Sequence, residues 1–287
     1  MLIRKVKFLA AFTLVFTVAA LLMVGGCQQE EKAQLKVVTS TSLIAHIVER
    51  VGGDLIDVVN IIPPAQCPGH FDVKPGDIQK LADADLFLLH GWQGEMFSQE
   101  LIVSANNPSL TVVQVNVMVG ENVNWMTPPV QQAAVDKITE TLCQIDEANC
   151  SVYRQAADKY KSIIAAKESE IKKKLSGLDL AGVNVMCADQ LVGFVKWAGF
   201  NIISIYGRPE TFTPQVVKDL VDRGRAEKVA LIIDNLQSGQ DAGAGVAEEL
   251  GCKRVILTNF PGGFANTETW EKAIDYDIEL LIEAMQK

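Results

Sequence analysis

The sequence predicts an α/β protein of two lobes, each built on a four-stranded parallel sheet, joined by one long rigid helix. Short β-branched runs alternate with amphipathic segments, which is typical of βαβ units and a parallel sheet. This alternation occurs twice, once before residue 149 and once after residue 177. Between the two sets, Asn149 to Leu175 contains no proline or glycine and carries apolar residues at helical spacing. These three observations predict the fold class.

The first 26 residues predict an export signal rather than a part of either lobe. Arg4, Lys5 and Lys7 precede an apolar run from Phe8 to Val24, and small residues then lead to Cys27. This pattern resembles a bacterial lipoprotein signal, so we expect cleavage before Cys27 and a lipid on its thiol. A retained transmembrane helix is the alternative, although a run of seventeen residues is at the lower limit for spanning a bilayer.

The mature chain is predicted to be acidic and located outside the cytoplasm. The signal carries three of the 26 basic residues and none of the 35 acidic ones, which leaves 23 basic residues and a net charge of −12 with histidine neutral. Such a charge argues against nucleic acid and against an anionic lipid surface as partners. An aromatic content of 7% does not favour a platform for stacking sugars. We expect a monomer, anchored by its lipid to the outer face of the cell membrane or in the periplasm.

The first predicted lobe covers residues 35–148 and follows a polar tether at residues 27–34. Glycines and an Asn-Asn-Pro sequence separate its elements. The predicted strands are Leu35–Val38, Ile56–Ile62, Leu86–Leu89 and Leu110–Val115, and the helices are Leu43–Val51, Asp77–Ala84 and Glu95–Ser104.

The linker helix is predicted at residues 149–177 and the second lobe at residues 178–287. At 1.5 Å per residue the helix extends over about 40 Å, so it can brace both lobes and limit how far they swing. The second lobe repeats the alternation of the first. Its predicted strands are Val183–Met186, Ile202–Ile205, Val229–Ile233 and Arg254–Leu257, and its helices are Gln190–Ala198, Pro214–Arg223, Ala244–Leu250 and Thr267–Met285.

Several local stretches carry a resemblance to a known family. The run from Pro63 to Leu86, which reads PPAQCPGHFDVKPGDIQKLADADL, is similar to P-P-G-x-D-P-H-x-Y-E-P-T-P-S-D-I-x-x-L-x-x-A-D. His90 to Glu95 resembles an N-G-x-x-x-E turn, and Asn122 to Pro129 resembles N-P-H-x-W-x-D-P, followed by Ile145-Asp146 and the long helix. Together these stretches resemble the zinc- and manganese-type solute-binding lipoproteins of ABC importers. The resemblance implies a periplasmic-binding-protein-like fold, a metal cargo held between the lobes, and a partner permease with a cytoplasmic ATPase.

The resemblance also indicates which positions correspond to the metal ligands of that family. The first histidine falls on Gly69, and the second falls on Asn124. The ligand after the first strand of the second lobe falls near Ala188, and the late aspartate falls on Asn259. None of these residues is an imidazole or a carboxylate, although His70 directly follows Gly69 and Ala188 lies between Cys187 and Asp189. An ordinary zinc or manganese site of histidines and carboxylates is therefore not expected.

A different metal site is predicted from residues at strand ends. Cys67 and His70 have C-x-x-H spacing after the second predicted strand, His90 ends the third, and Cys187 ends the first strand of the second lobe. The carboxyl ends of parallel strands face the ligand crevice. Two thiolates and two imidazoles would suit zinc or copper(I), with Asn124 and Asn259 as neutral supporting donors.

Two alternatives to this soft-ligand site remain open. In the first, Cys67 and Cys187 are small buried residues or form a disulfide between the lobes, and His90 caps a loop. In the second, the cleft holds an organic ligand. The candidate cleft residues are Trp92, Gln93, Asn124, Trp125, Asp189 and Asn259.

The remaining chemistry of the chain is sparse. His46 lies on a predicted amphipathic helix, where a packed or surface histidine is expected rather than a ligand, and the glycines of Ser238 to Gly245 lack the lysine of a phosphate loop. Catalysis is not expected.

Cys143 and Cys150 flank a short turn before the long helix, where export permits a disulfide and two packed thiols are the alternative. Two function classes follow: a transport receptor, or an extracytoplasmic enzyme or structural lipoprotein on the same scaffold.

Overall fold

The computed structural model describes residues 34–92 and 95–286. The signal, Cys27 and Gln93 therefore lie outside the described residues. The described chain forms two four-stranded parallel sheets with helices packed on them. The predicted α/β fold of two lobes is thereby confirmed.

The first lobe consists of four βα repeats in which the sheet order is 2-1-3-4. Parallel pairing aligns the carboxyl ends of its strands, as in the pairing of Thr39 with Asn60 and of Leu89 with Gln114. Its elements in chain order are β1 (Leu35–Thr39), α1 (Ser42–Gly52), β2 (Ile56–Asn60), α2 (Pro75–Ala82), β3 (Leu86–Leu89), α3 (Phe97–Ala105) and β4 (Thr111–Gln114).

Two long helices connect the lobes. α4 (Pro128–Ile145) begins with two prolines, whose fixed φ angle and missing amide suit the first turn of a helix. α5 (Cys150–Leu175) is one continuous helix of 26 residues and packs along α4 and α1. Its buried side chains include Tyr153, Tyr160 and Ile164, which share one face at spacings of seven and four residues. The apolar spacing from Asn149 to Leu175 therefore predicted this helix.

The second lobe has the same architecture, with sheet order 6-5-7-8. The buried residues of both lobes, α4 and α5 form one large apolar core, and a second, smaller core lies within the first lobe. The elements in chain order are β5 (Asn184–Ala188), α6 (Val192–Ala198), β6 (Asn201–Tyr206), α7 (Pro214–Ala226), β7 (Leu231–Asn235), α8 (Leu236–Gly239), α9 (Ala244–Leu250), β8 (Lys253–Leu257) and α10 (Trp270–Met285).

β5 and β7 each extend two residues beyond the predicted strands. The strand predicted at Val229–Ile233 stopped before the polar pair Asp234 and Asn235, yet β7 includes both residues and both side chains are buried inside the fold. Asp234 accepts hydrogen bonds from the Tyr206 hydroxyl and the Gly243 amide, and it pairs with Arg254. Polar residues that find such partners can remain within a buried strand.

The helices of the described residues include none that is both long enough and apolar enough to cross a bilayer.

Candidate functional site

The loops that follow the strands of both sheets meet between the lobes and form the candidate site. On one side, the Ser42 hydroxyl donates to the carbonyl of Pro261 at 2.7 Å. On another, the Gln237 side-chain amide donates to the carbonyl of Pro64 at 2.8 Å. The carboxyl edges of the two sheets therefore face each other, which is where ligands bind in open α/β folds.

Three polar groups from both lobes form a hydrogen-bonded bridge at this edge, which we call the amide bridge. Asn124 Nδ2 donates to Asn259 Oδ1 at 2.9 Å and to the carbonyl of Gln190 at 3.0 Å. Asn259 Nδ2 donates to the same carbonyl at 3.1 Å. Asn124 and Asn259 occupy two positions that the family resemblance assigns to metal ligands, so neutral carboxamides lie there in place of imidazole and carboxylate.

His90 is packed into the protein. Its ring is 1% exposed, stacks on Trp92 with centroids 3.6 Å apart, and meets the edge of Trp125. Its Nε2 hydrogen-bonds the Thr41 hydroxyl at 2.7 Å, and burial lowers the pKa of His90 well below its usual value. The imidazole is therefore neutral at physiological pH, with one nitrogen already engaged.

A buried carboxylate shapes the loop that carries Trp92. Glu95 accepts hydrogen bonds from the Ser40 hydroxyl and from the backbone amides of His90, Gly91 and Trp92. Burial raises the pKa of Glu95 despite these bonds. Gly91 has φ of +82°, a conformation that glycine adopts without steric cost. The predicted turn from His90 to Glu95 thus holds the backbone that carries Trp92. The Trp92 ring lies nearly parallel to the ring of Phe260 in the other lobe, with centroids 6.4 Å apart.

The predicted soft-ligand site is not present as a cluster. Across residues 34–92 and 95–286, no three or more histidine, cysteine or acidic side chains lie close enough together to hold a metal ion. Cys187 lies within β5, because that strand continues to Ala188, and its side chain is in the apolar core. Burial, with a contribution from Asp189, raises the pKa of the Cys187 thiol to about 12. The prediction that Cys67, His70, His90 and Cys187 converge is therefore corrected.

Cys67 and His70, the other two predicted ligands of the first-lobe loop, differ from each other in burial. Cys67 is buried as a free thiol. His70 is exposed at the rim, where its Nε2 lies 3.6 Å from Glu210 of the opposite lobe. An exposed ion pair of this length contributes little to stability.

Two other predicted cleft residues differ in exposure. Trp125 is 2% exposed and belongs to the core, and its carbonyl accepts a hydrogen bond from the Trp270 indole, so it is not available to a ligand. Asp189 is exposed at the end of β5. The sequence pattern identified the loops correctly but not the direction in which each side chain points.

Arg208, which follows β6, lies in no motif that indicates a site residue. A Cβ atom placed on Gly69 would lie 2.7 Å from Nη1 and 3.0 Å from Nη2 of Arg208. The guanidinium of the second lobe therefore occupies the space next to the position where the family resemblance places a histidine. Only the absence of a side chain at residue 69 makes this approach available.

An ion pair joins the lobes on the side of the long helix. Glu271 of α10 accepts from Arg50 at 2.9 Å and lies 3.3 Å from Nε2 of His46, both on α1. Burial would raise the pKa of Glu271, but the His46 hydrogen bond and the charges of His46 and Arg50 lower it to about 2. His46 is buried against the ring of Tyr160, in agreement with a packed histidine rather than a ligand.

Two further motifs have structural roles. The Cys143 and Cys150 sulfurs are bonded at 2.05 Å, which links the end of α4 to the start of α5. Ser238 to Gly245 forms a connection after β7 in which the Gly243 amide donates to Asp234.

Curated relatives and solved structures resemble this chain over most of its length. A metal ABC transporter substrate-binding lipoprotein of Lactococcus lactis is 24% identical over 238 residues, which cover 74% of this chain and 76% of the relative. The corresponding lipoprotein SsaB of Streptococcus sanguinis is 25% identical over 221 residues, which cover 69% and 71%. The Mn-bound periplasmic metal-binding protein of Candidatus Liberibacter asiaticus shares the fold with a TM-score of 0.76 at 17% identity, over 88% of this chain and 100% of that one.

The sequence model of a family described as the periplasmic component A of the zinc-uptake complex matches residues 37–284. This range includes both sheets, the amide bridge and the helix between the lobes. The chain therefore belongs to the family of the periplasmic component A of zinc-uptake complexes.

Proposed function

We propose that this protein is the extracytoplasmic solute-binding lipoprotein of an ABC importer, which captures a metal cargo between its lobes and delivers it to a permease driven by a cytoplasmic ATPase. The observation that carries the proposal is the family match over residues 37–284, which include both lobes and the cleft between them. The amide bridge supports this cleft as the binding place, because it joins Asn124 of the first lobe to Gln190 and Asn259 of the second, and the resemblance assigns the positions of Asn124 and Asn259 to the cargo. The names of the relatives, metal transporter lipoproteins and a Mn-bound receptor, support a metal as the cargo.

The proposed role is binding rather than catalysis. A receptor must release its cargo to the permease, and the hydrogen bonds that join the two lobes are individually weak enough to break when the lobes open. α5 has no glycine or proline in its 26 residues, so the opening is expected to be small.

The proposal includes a lipid anchor at Cys27. Feeding cells a fatty-acid analogue and isolating the protein tests it, with Cys27→Ser as the control. We expect label in the parent and none in the variant. An intact Met1 on the mature protein would contradict cleavage at this position.

Elemental analysis and native mass spectrometry of protein purified without chelators test the cargo. We expect about one metal per chain in the folded protein and loss of the metal on denaturation. Stimulation of the reconstituted permease and ATPase by the loaded protein, but not by the stripped protein, tests delivery. Metal-free protein that fails to stimulate the ATPase after incubation with manganese or zinc would contradict the proposal.

A metal-free organic solute is the second candidate cargo, and the chemistry of the cleft favours it. The amides of Asn124 and Asn259 and the ring of Trp92 can hydrogen-bond and stack with an organic molecule, whereas the described residues there offer a bare zinc or copper(I) ion no thiolate or imidazole cluster. A small organic mass released from natively purified, metal-free protein would establish this alternative.

A further inference from the structure

We propose that Arg208 binds the anionic oxygens of the cargo, so that this receptor takes a carboxylate-bearing solute, either free or wrapped around a metal ion. The inference rests on the proposed function and names the chemical class of the cargo for the same cleft.

The first observation is the place of the guanidinium. Arg208 belongs to the loop after β6 in the second lobe, and both terminal nitrogens lie within 3.0 Å of the position that a Cβ on Gly69 would occupy. Gly69 belongs to the loop after β2 in the first lobe. The guanidinium therefore crosses the cleft at a point where the resemblance places a metal ligand.

The second observation is that this guanidinium has no protein counter-ion among the described residues. Three other arginines are paired: Arg50 with Glu271, Arg225 with Glu249, and Arg254 with Asp234. Arg154 and Arg223 also have no ion pair with a described residue, but both are exposed to water, whereas Arg208 is only partly exposed. No described carboxylate lies within 4.0 Å of Arg208, and no hydrogen bond joins its guanidinium to a described residue. The carboxylate nearest in sequence, Glu210, lies beside His70.

An unpaired guanidinium at this place has a chemical consequence. Arg208 is only partly exposed, so its charge has lost some of its water without gaining a partner. A carboxylate matches the planar fork of a guanidinium with two parallel hydrogen bonds. An anionic ligand would thus supply the counter-charge and the hydrogen bonds that no described residue provides to the Arg208 guanidinium.

The same charge argues against a bare cation. Two like charges a few ångströms apart repel more strongly in a partly desolvated cleft than in bulk water. The neutral amide bridge supplies no negative charge to offset this repulsion. A metal held by an anionic chelator presents oxygens to Arg208 instead, so the relatives' metal cargo and this arginine are compatible.

Calorimetric titration of the metal-stripped mature protein tests the inference with three probes: citrate alone, the ferric citrate complex, and manganese(II) alone. The variants are Arg208→Gln and Arg208→Lys. Arg223→Gln is the matched control, because Arg223 is an exposed arginine on α7. We expect at least one citrate-containing probe to bind the parent and the control equally. We expect Arg208→Gln to weaken that binding at least tenfold and Arg208→Lys to weaken it less, because lysine keeps the charge but not the fork.

A second set of variants tests the charge at Arg208 without any added ligand. Gly69→Asp places a carboxylate next to Arg208, so we expect a higher melting temperature than for Gly69→Asn, and no such difference when Arg208→Gln is also present. The single variant Gly69→Asp should also abolish the binding of citrate, because its carboxylate then pairs with the Arg208 guanidinium.

The outcomes separate this inference from the proposed function. Manganese(II) that binds the parent and Arg208→Gln equally, or citrate probes that fail to bind the parent, would overturn the role of Arg208 and leave a metal receptor standing. Citrate that binds through Arg208 with no metal in the natively purified protein would support the inference and overturn the metal cargo.

Discussion

The Asn124 side-chain amide donates to the Asn259 side-chain oxygen at 2.9 Å, and this bond joins the two lobes across the cleft. Both side chains also donate to the carbonyl of Gln190, so one backbone oxygen holds them together. The Asn124 side-chain oxygen accepts from the Met126 amide, which fixes the orientation of the carboxamide. A polar network with members from both lobes favours this arrangement of the cleft.

The first prediction restores the metal ligands that the resemblance places in this cleft. The restored variant carries three substitutions together: Gly69→His, Asn124→His and Asn259→Asp. We expect its affinity for zinc to be at least tenfold higher than that of the parent, because imidazole and carboxylate replace neutral groups. Calorimetric titration with zinc measures it. The matched control replaces the same three residues with alanine. Equal affinity in the restored variant and the alanine control would contradict this assignment of positions.

The second prediction concerns the ion pair between the lobes. Because the pKa of Glu271 is about 2 in the folded protein against a usual 4.5, its interactions stabilise the fold fully above pH 4.5 and lose their effect as the pH falls through 2. Glu271→Gln should lower the free energy of unfolding by about 2 kcal/mol at pH 7, and this difference should shrink toward pH 2. Urea denaturation across this pH range measures it.

Glu268→Gln is the control for the ion pair, because that carboxylate is exposed just before α10 and its ion pair is with Lys272, not with a residue of the other lobe. We expect a change within about 0.5 kcal/mol for this control. A pH-independent loss in Glu271→Gln would show that packing rather than charge is responsible.

The third prediction concerns Asp277, which lies on α10 beneath the cleft. Its Oδ1 accepts from the Thr258 amide at 3.0 Å, whereas Oδ2 has no partner within the described chain. Burial raises the pKa of Asp277 well above its usual 3.8, so the free energy of unfolding falls as the pH rises above that value. Asp277→Asn keeps the acceptor and removes the ionisation.

We therefore expect Asp277→Asn to be more stable than the parent by about 1 kcal/mol at pH 7 and to show a smaller dependence of stability on pH. Thermal denaturation from pH 4 to pH 8 measures it. Glu279→Gln, an exposed position on the same helix, is the control and should match the parent. A destabilised Asp277→Asn would mean that Asp277 remains ionised and paired.

The fourth prediction concerns thiol reactivity. Burial raises the pKa of Cys187 to about 12, so its thiol stays protonated near pH 8 and reacts slowly with iodoacetamide. Cys252 is partly exposed and provides an internal comparison. Mass spectrometry of timed samples should show Cys252 alkylated at least ten times faster than Cys187 in folded protein and both at similar rates in urea. Rapid native labelling of Cys187 would place it at an open surface.

The fifth prediction concerns the link between α4 and α5. Replacing Cys143 and Cys150 with serine should lower the free energy of unfolding by about 2 kcal/mol, because closing even a short loop restricts the unfolded chain. Alkylation in denaturant measures the bond directly. Without reductant we expect Cys67, Cys187 and Cys252 to be labelled, and with reductant Cys143 and Cys150 as well. Labelling of all five without reductant would contradict the bond.

The sequence by itself determined the architecture. β-branched runs alternating with amphipathic segments identified the strands of both sheets, and the absence of glycine and proline from Asn149 to Leu175 identified the long helix. These features are readable because they depend on local periodicity and on residues that break helices. The resemblance also placed Asn124 and Asn259 at the site, although their spacing alone says nothing about the bond between them.

Only the tertiary structure decided which side chains face the cleft. Cys187 reads as a strand-end ligand, but two additional residues of strand leave its thiol in the core, because side chains alternate between the faces of a sheet. Arg208 carries no motif, and its importance arises from Gly69, more than a hundred residues earlier, which lacks the Cβ atom that would displace the guanidinium from its present position. Contacts between distant loops depend on how two sheets are oriented, and no local pattern encodes that orientation.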